Sequence, residues 1–404
     1  MDQKNSSPLP PLYAGWLDDL LGGDIPNETR ATCNDCAMCD SSAKDPKDAA
    51  RFFNPQSKCC TYIPVLPNYL VGMILADDDP AMAAGRATVE KRIAAGLAIT
   101  PSGLEWPLKS RAQYTQMESY AFGRAQSLRC PHFLNEQGGL CGIWKYRNSI
   151  CSTWFCKYVR GAVGRNFWES TKQLLLTIEQ GLSRWCAVKL ELDDSALRYL
   201  LTPMLMPGQL PDLKLEDIDE RVDFEKQRRI WANWHGRERE FYLACGELVA
   251  SLEWSDVSSI CGAEVQLRSR LTQQAYRAVI GKDIPERLKV GAFTVMQAGR
   301  DFYKLHRPGI GLDVFPLSAR VTRLLPYFDG RPTTEVVSEI VDKEGLRFTD
   351  DLLRRLVDFK ILESVAEDIP RLCHTLTSPT HQPAKLGKHR LGNASGNALR
   401  GLIT

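Results

Sequence analysis

From Arg165 onward, apolar residues recur at helical spacing. Phe167, Leu174, Leu175, Ile178 and Leu182 fall on one stripe, the pattern of a helix that buries one face. Trp234, Phe241, Cys245, Leu248 and Leu252 make a second stripe within a long helical pattern over 223–252. Leu267, Leu271, Ala275 and Val279 make a third, so residues 165–305 are expected to form an all-helical unit. Upstream the pattern fades. Residues 31–164 set short apolar pieces between Pro, Gly and Asn turns, and one segment, Asp79 to Ala95, reads as a helix. Regular structure is expected to be scarce there, as where ligands rather than a core fix the backbone. Residues 1–30, rich in Pro, Ser, Asn and Gly, read as a partly ordered lead-in.

A separate small module is expected over 306–370. Phe315, Pro316 and Leu317 form a short extended piece, helical runs follow at 318–328, 333–344 and 349–359, and Ile361 with Leu362 closes it. Asp329, Gly330, Arg331 and Pro332 read as a turn, with Thr333 or Thr334 placed to cap the next helix. This order resembles the small winged-helix domains with which peptide-modifying systems bind leader peptides. The resemblance implies a peptide or protein partner; a plain packing or dimerisation module is the alternative. Arg320, Arg323, Arg354 and Arg355 would favour an acidic partner. The polar tail, 371–404, is expected to be disordered. The fold class is thus mostly α: a cysteine-rich, metal-organised irregular N-terminal domain, a helical middle and a winged-helix-like end.

With 404 residues, 44% of them hydrophobic, the chain can bury cores without disulfides or metal to hold it. A net charge of +2 is not the basic excess of a nucleic-acid binder, so nucleic acid is not an expected partner. No apolar run approaches a membrane span, and the first residues lack the basic-then-apolar order of a secretory signal, so the cytoplasm is the expected location. Glycine-rich phosphate loops, nucleophile elbows and dinucleotide fingerprints are absent from the sequence.

The cysteines change the picture. There are 13, an odd number that suits no disulfide framework in a reducing compartment. Cys33, Cys36, Cys39, Cys59, Cys60, Cys130, Cys141, Cys151 and Cys156 crowd the N-terminal part, and all are candidate metal ligands. Cys186, Cys245, Cys261 and Cys373 are scattered and read as buried or bystander thiols. Cys33, Cys36 and Cys39 stand at three-residue intervals, which lets three thiolates wrap one side of an iron–sulfur cluster while a remote cysteine completes it. Cys130 followed by Pro131 echoes that remote ligand. Tetrahedral zinc favours separate Cys-x2-Cys pairs, so the spacing tilts toward iron–sulfur, with zinc as the alternative. Cys59 and Cys60 are adjacent, and adjacent side chains diverge, which suits two neighbouring sites or one ligand and one bystander.

The order Cys130-Pro131-His132-Phe133-Leu134, then Cys141-Gly142-Ile143-Trp144, Arg147, Cys151 and Cys156, resembles the bacterial CxxCxxCC, YkgJ-type zinc- or iron-chelating cysteine-cluster family. The resemblance covers roughly residues 30–160. In the front half the vicinal pair lies further from Cys39 than in the compact family pattern, and nine cysteines stand where eight are expected. The family implies metal binding, and its distant relatives, the flagellin lysine N-methylases, imply modification of a protein.

Around the ligands, Trp144, Trp154 and Phe155 could shield a cluster from water, and Arg147, Lys145, Lys157 and Arg160 could offset its charge or form a solvated face. His132 reads as a surface or packing histidine, with a ligand role as its alternative. Asp77, Asp78 and Asp79 read as an exposed turn before a helix. The expected function is metal binding in peptide or protein modification; the alternative is a non-enzymatic interaction scaffold with structural zinc.

Overall fold

In the computed structural model the described residues are 7–28, 36, 38–39, 53–135, 138–200, 223–307 and 314–365. Cys33, Cys373 and the tail expected to be disordered lie outside them. Helices dominate, as the apolar stripes require. Helix α1 is Pro11–Leu21, α2 Asn68–Ala76, α3 Ala83–Ala94, α4 Leu108–Ala121, α5 Ser149–Thr153 and α6 Gly161–Lys189. Helices α7 (Asp194–Leu200), α8 (Phe224–Trp231), α9 (Glu238–Ala250), α10 (Trp254–Cys261) and α11 (Ala263–Ile280) follow.

The first core forms around α6. Its stripe of Phe167, Leu174, Leu175, Ile178 and Leu182 is fully buried, against α11, α5, α10, α9 and α2. The N-terminal lead-in is a helix rather than a loose segment. Pro11 occupies the first turn, where its missing amide costs nothing, and Tyr13, Trp16 and Leu17 bury against the bundle. Trp16 Nε1 donates to Leu252 O at 2.8 Å.

Two further departures have physical causes. The 223–252 pattern splits into α8 and α9, because Ala232 and Gly236 both take positive φ between them. On α11 the stripe is rotated: Leu267 and Leu271 are more than half exposed, whereas Val265, Ser269, Thr272 and Tyr276 face inward with Ala275 and Val279.

The helical unit ends sooner than expected. Residues 287–306 are strands: β6 (Arg287–Val290), β7 (Thr294–Gln297) and β8 (Phe302–His306). Strand β9 (Val314–Ser318) pairs with β8, giving the antiparallel order β7-β8-β9. Helix α12 (Ala319–Leu324) leads to β10 (Asp329–Pro332), α13 (Thr333–Glu344), α14 (Asp350–Asp358) and β11 (Leu362–Ser364). The expected turn at 329–332 is itself a strand, paired to β6 with a register irregularity between Asp329 and Pro332. Thr333 does not cap α13; its hydroxyl donates to Pro285 O at 2.9 Å and its amide to Glu286 O at 2.7 Å. Strand β6 is the middle of the sheet β10-β6-β11. A second core from Leu288 to Leu362 fills the space beneath.

Arg160 joins these parts. It pairs with the Asp358 carboxylate through Nε and through Nη2 at 2.9 Å, and also donates to Val279 O and Gly281 O. No described helix is long and apolar enough to cross a membrane.

Candidate metal centre

The site is built on short elements tied by backbone hydrogen bonds. Cys39 N donates to Cys36 O at 3.0 Å, and Cys60 N to Ser57 O at 3.0 Å. Between these pairs Lys58 adopts φ +50° in the left-handed region, held by a 2.7 Å bond from its amide to Asn54 O. Cys130 N donates to Cys60 O at 2.7 Å, which brings the two cysteine blocks together. Strands β1 (Leu66–Pro67), β2 (Ile99–Thr100) and β3 (Gly103–Leu104) form a small sheet, and the two-stranded hairpin of β4 (Phe133–Leu134) with β5 (Leu140–Cys141) sets Cys141 opposite Phe133. Asn148 caps α5, its Oδ1 accepting from Cys151 N at 3.0 Å, and its Nδ2 donates to Val65 O at 3.1 Å.

These constraints place Cys36, Cys59, Cys60, Cys130, Cys141, Cys151 and Cys156 on the wall of one cavity of about 410 Å³. Cys39 hydrogen-bonds Cys36 through its side chain beside them. Cys33 is not among the described residues. Cys186 and Cys245 lie elsewhere, fully buried in the helical core and hydrogen-bonded to each other; Cys261 packs beside Gly181.

The electrostatics oppose two effects. Burial pushes the thiols of Cys39, Cys130 and Cys156 up to about 12, and raises Cys141 and Cys151 as well. Against this stand donors aimed at sulfur. The amide of His132 donates to the Cys130 thiol, that of Ile143 to Cys141, and the Trp154 side chain to Cys156. Such donors favour the thiolate. Within the vicinal pair, the Cys60 thiol donates to Cys59, raising Cys60 and lowering Cys59, whose thiolate Arg147 and Lys58 also favour.

Of the cations expected near the cluster, only Arg147 lines the cavity. It is 6% exposed, its guanidinium 3.3 Å from the Trp144 ring centroid, and it donates to Cys151 O at 3.3 Å and Pro8 O at 2.9 Å. Lys145 instead pairs with Asp77 at 2.7 Å, Arg160 with Asp358, and Lys157 is exposed. Asp77 is therefore engaged rather than merely a turn. Burial raises its carboxyl, but hydrogen bonds from Lys145 and Tyr146 outweigh that and hold it at about 2. Lys58, unremarkable in sequence, is the second cation: it lines the cavity, is 8% exposed, and donates to Gly138 O and Gly139 O at 3.2 and 2.9 Å. Trp144, Trp154 and Phe155 also line the cavity, with Trp154 stacked edge-on to Phe122.

His132 is not a surface residue. It is 1% exposed and lines the cavity, and burial with nearby Arg92 lowers its pKa to about 3, so the ring is neutral.

The donor set suits a thiophilic metal group: seven cysteines, charge-offsetting Lys58 and Arg147, and amides directed at sulfur. Among the described residues no three His, Cys, Asp or Glu side chains already stand at metal-binding separations. Paired thiols satisfy each other instead, Cys36 with Cys39 and Cys59 with Cys60. No protein-family model, no curated protein and no solved structure matches this chain.

Proposed function

We propose that this chain is an iron–sulfur protein whose cluster sits in the cysteine cavity and that it acts in the modification of a peptide or protein. One observation carries the reading: seven cysteines share a single cavity of about 410 Å³. One tetrahedral zinc closes on four ligands at about 2.0–2.3 Å and needs no such space. Seven thiols also exceed the four that one such ion takes, so the set favours a polynuclear group. Cys36, Cys59, Cys60, Cys130, Cys141, Cys151 and Cys156 would hold it, with Cys39 and Cys33 beside them in sequence. When bound, an iron–sulfur cluster supplies one-electron chemistry. Lys58 and Arg147 would offset the charge of the thiolates, which raises a reduction potential, whereas Trp144, Trp154 and Phe155 would line the cavity with apolar surface, which lowers it by disfavouring the more negative reduced form.

The test is anaerobic purification of untagged protein from iron-supplied cells. Iron with acid-labile sulfide and broad visible absorbance is expected. Stoichiometric zinc without sulfide overturns the iron–sulfur reading and leaves the scaffold with structural zinc.

The partner reading rests on residues 287–364, which we read as a winged-helix-like module. The order α12, β10, α13, α14, β11 with β6 between the outer strands supports that reading. So does strand β7, whose outer edge has no partner strand among the described residues, and where Met296 shares a face with Phe302 and both are about half exposed. An edge strand of this kind can take an added strand from an extended peptide. Of the four arginines that would favour an acidic partner, Arg320, Arg323 and Arg355 are exposed and contact neutral groups, Arg323 through Ala319 O, and one is engaged by a carboxylate. Arg354 pairs with Asp358, Arg355 lies over Phe315, and Arg320 donates to Glu344 O.

A further inference from the structure

Among the described residues that line the cysteine cavity, His132 alone leaves a buried side-chain nitrogen without a hydrogen-bond partner, and that nitrogen is Nε2. Its other nitrogen is engaged: Nδ1 stands 2.6 Å from Thr88 Oγ1. The Thr88 hydroxyl has one proton, and it donates that proton to Gly85 O at 2.6 Å. The hydroxyl can therefore only accept from the imidazole. This fixes the proton on Nδ1 and leaves a bare lone pair on Nε2. A packing histidine would be expected to answer that lone pair with a donor, since a buried acceptor without one is costly.

We infer that His132 Nε2 is a ligand of the metal group that the cysteines hold, giving a mixed nitrogen and sulfur set. The inference rests on the metal-binding reading above and goes beyond it in ligand identity. The neutral imidazole, with its far N–H fixed by a neighbouring oxygen, is the form in which histidine binds metals, and the fixing partner sets the ring's orientation. The scaffold supports this. Thr88 lies on α3, and Gly85 of the same helix abuts the carbonyl of Gly142, directly after Cys141. One helix thus positions both the imidazole and the Cys141 loop. The backbone amide of His132 donates to the Cys130 thiol, so this residue supports one sulfur through its main chain and reaches the metal through its side chain.

The test is X-ray absorption at the edge of whichever metal the full-length protein holds, with iron, zinc and acid-labile sulfide measured on the same sample. Wild type is expected to show one nitrogen scatterer among sulfurs. His132→Cys, which offers a thiolate in its place, should keep the metal and lose the nitrogen. Thr88→Val should leave the circular dichroism unchanged but weaken metal retention against a chelator about 10-fold or more, the usual loss for a partner that orients a ligand. An all-sulfur shell in wild type overturns the inference, as does a nitrogen that persists in His132→Cys. Nitrogen on zinc without sulfide supports the histidine ligand while overturning the iron–sulfur reading. A sulfur-only shell on an iron- and sulfide-containing sample does the reverse. Protein that takes up no metal on reconstitution overturns both.

Discussion

The carbonyl of Cys60 accepts a hydrogen bond from the amide of Cys130 at 2.7 Å, joining the vicinal pair to the start of the second cysteine block. The bond spans a long stretch of sequence and is made by backbone atoms alone. It aligns the Cys130 hairpin with the 55–62 turns, so thiols from both segments reach one cavity.

Removing a cavity thiol should therefore cost metal without unfolding the chain. Cys130→Ala, Cys141→Ala, Cys151→Ala and Cys156→Ala are each expected to lose a large share of bound metal. Cys245→Ala is expected to keep it, because Cys245 lies in the helical core beside Cys186. Metal content per chain, measured with the melting temperature, decides this. Equal loss in Cys245→Ala and Cys141→Ala would overturn the division of cysteines into two groups.

Two close approaches through glycine separate scaffold from site. A Cβ on Gly72 would stand 1.8 Å from Tyr242 O, where α2 crosses α9. A Cβ on Gly85 would stand 1.8 Å from Gly142 O, where α3 supports the Cys141 loop. Gly72→Ala should destabilise by about 1–3 kcal/mol, the usual cost of overpacking, with metal content unchanged. Gly85→Ala should displace the Cys141 loop and lower metal content. Denaturant titration and metal analysis of both variants check the contrast; equal metal content in the two variants would speak against it.

How much of this was legible depended on whether the signal was local. The α6 stripe was, because one face of that helix is polar and the other is fully buried. Helix α2 was not. It is buried on nearly every side, so Tyr69 to Leu75 reads as a uniform apolar run with no helical period. Strand β10 was hidden because Asp, Gly, Arg and Pro are turn residues; its pairing with β6 lies outside its own sequence. The close sequence spacing of Cys130, Cys141, Cys151 and Cys156 made the second block legible. The burial of His132 was not, since Thr88, its partner, lies 44 residues away. Lys58 carried no signal at all: its role comes from a left-handed backbone and two carbonyls from another loop.

The Arg160–Asp358 pair gives a stability prediction. The Asp358 side chain is 4% exposed and meets both Arg160 and Arg354. Asp358→Ala leaves two guanidinium groups without that carboxylate, so a loss of roughly 3–5 kcal/mol is expected. Arg160→Lys should also destabilise, because an ammonium cannot fork onto the carboxylate and the carbonyls of Val279 and Gly281 together. Urea denaturation followed by circular dichroism measures both. A loss below about 1 kcal/mol for Asp358→Ala, the range of an exposed pair, would contradict the structural role assigned here.

Glu179 links the pH dependence of stability to the site. It is 5% exposed and accepts from Tyr13 Oη at 2.5 Å, Ser149 N at 2.6 Å and Ser149 Oγ at 2.7 Å, anchoring the start of α5, which carries Cys151. Burial raises its pKa to about 7, and the three hydrogen bonds only partly offset that. In the unfolded chain the group returns to 4.5. Between those values the native state binds the proton that the unfolded state has released. Stability from this residue is therefore full below about pH 4.5 and falls as pH rises to about 7, by roughly 3 kcal/mol in all. Glu179→Gln removes the titration but can keep the contacts: its amide oxygen accepts from Tyr13 and from Ser149 N, and its amide nitrogen donates to Ser149 Oγ. Denaturant titrations of metal-loaded wild type and variant at pH 5, 6, 7 and 8 isolate the effect, because shared groups cancel in the difference. The variant should gain on wild type steadily from pH 5 to 7 and level off by about pH 8. Parallel pH profiles for the two proteins would mean that Glu179 carries the same charge folded and unfolded, and that its burial does not govern the anchoring of α5.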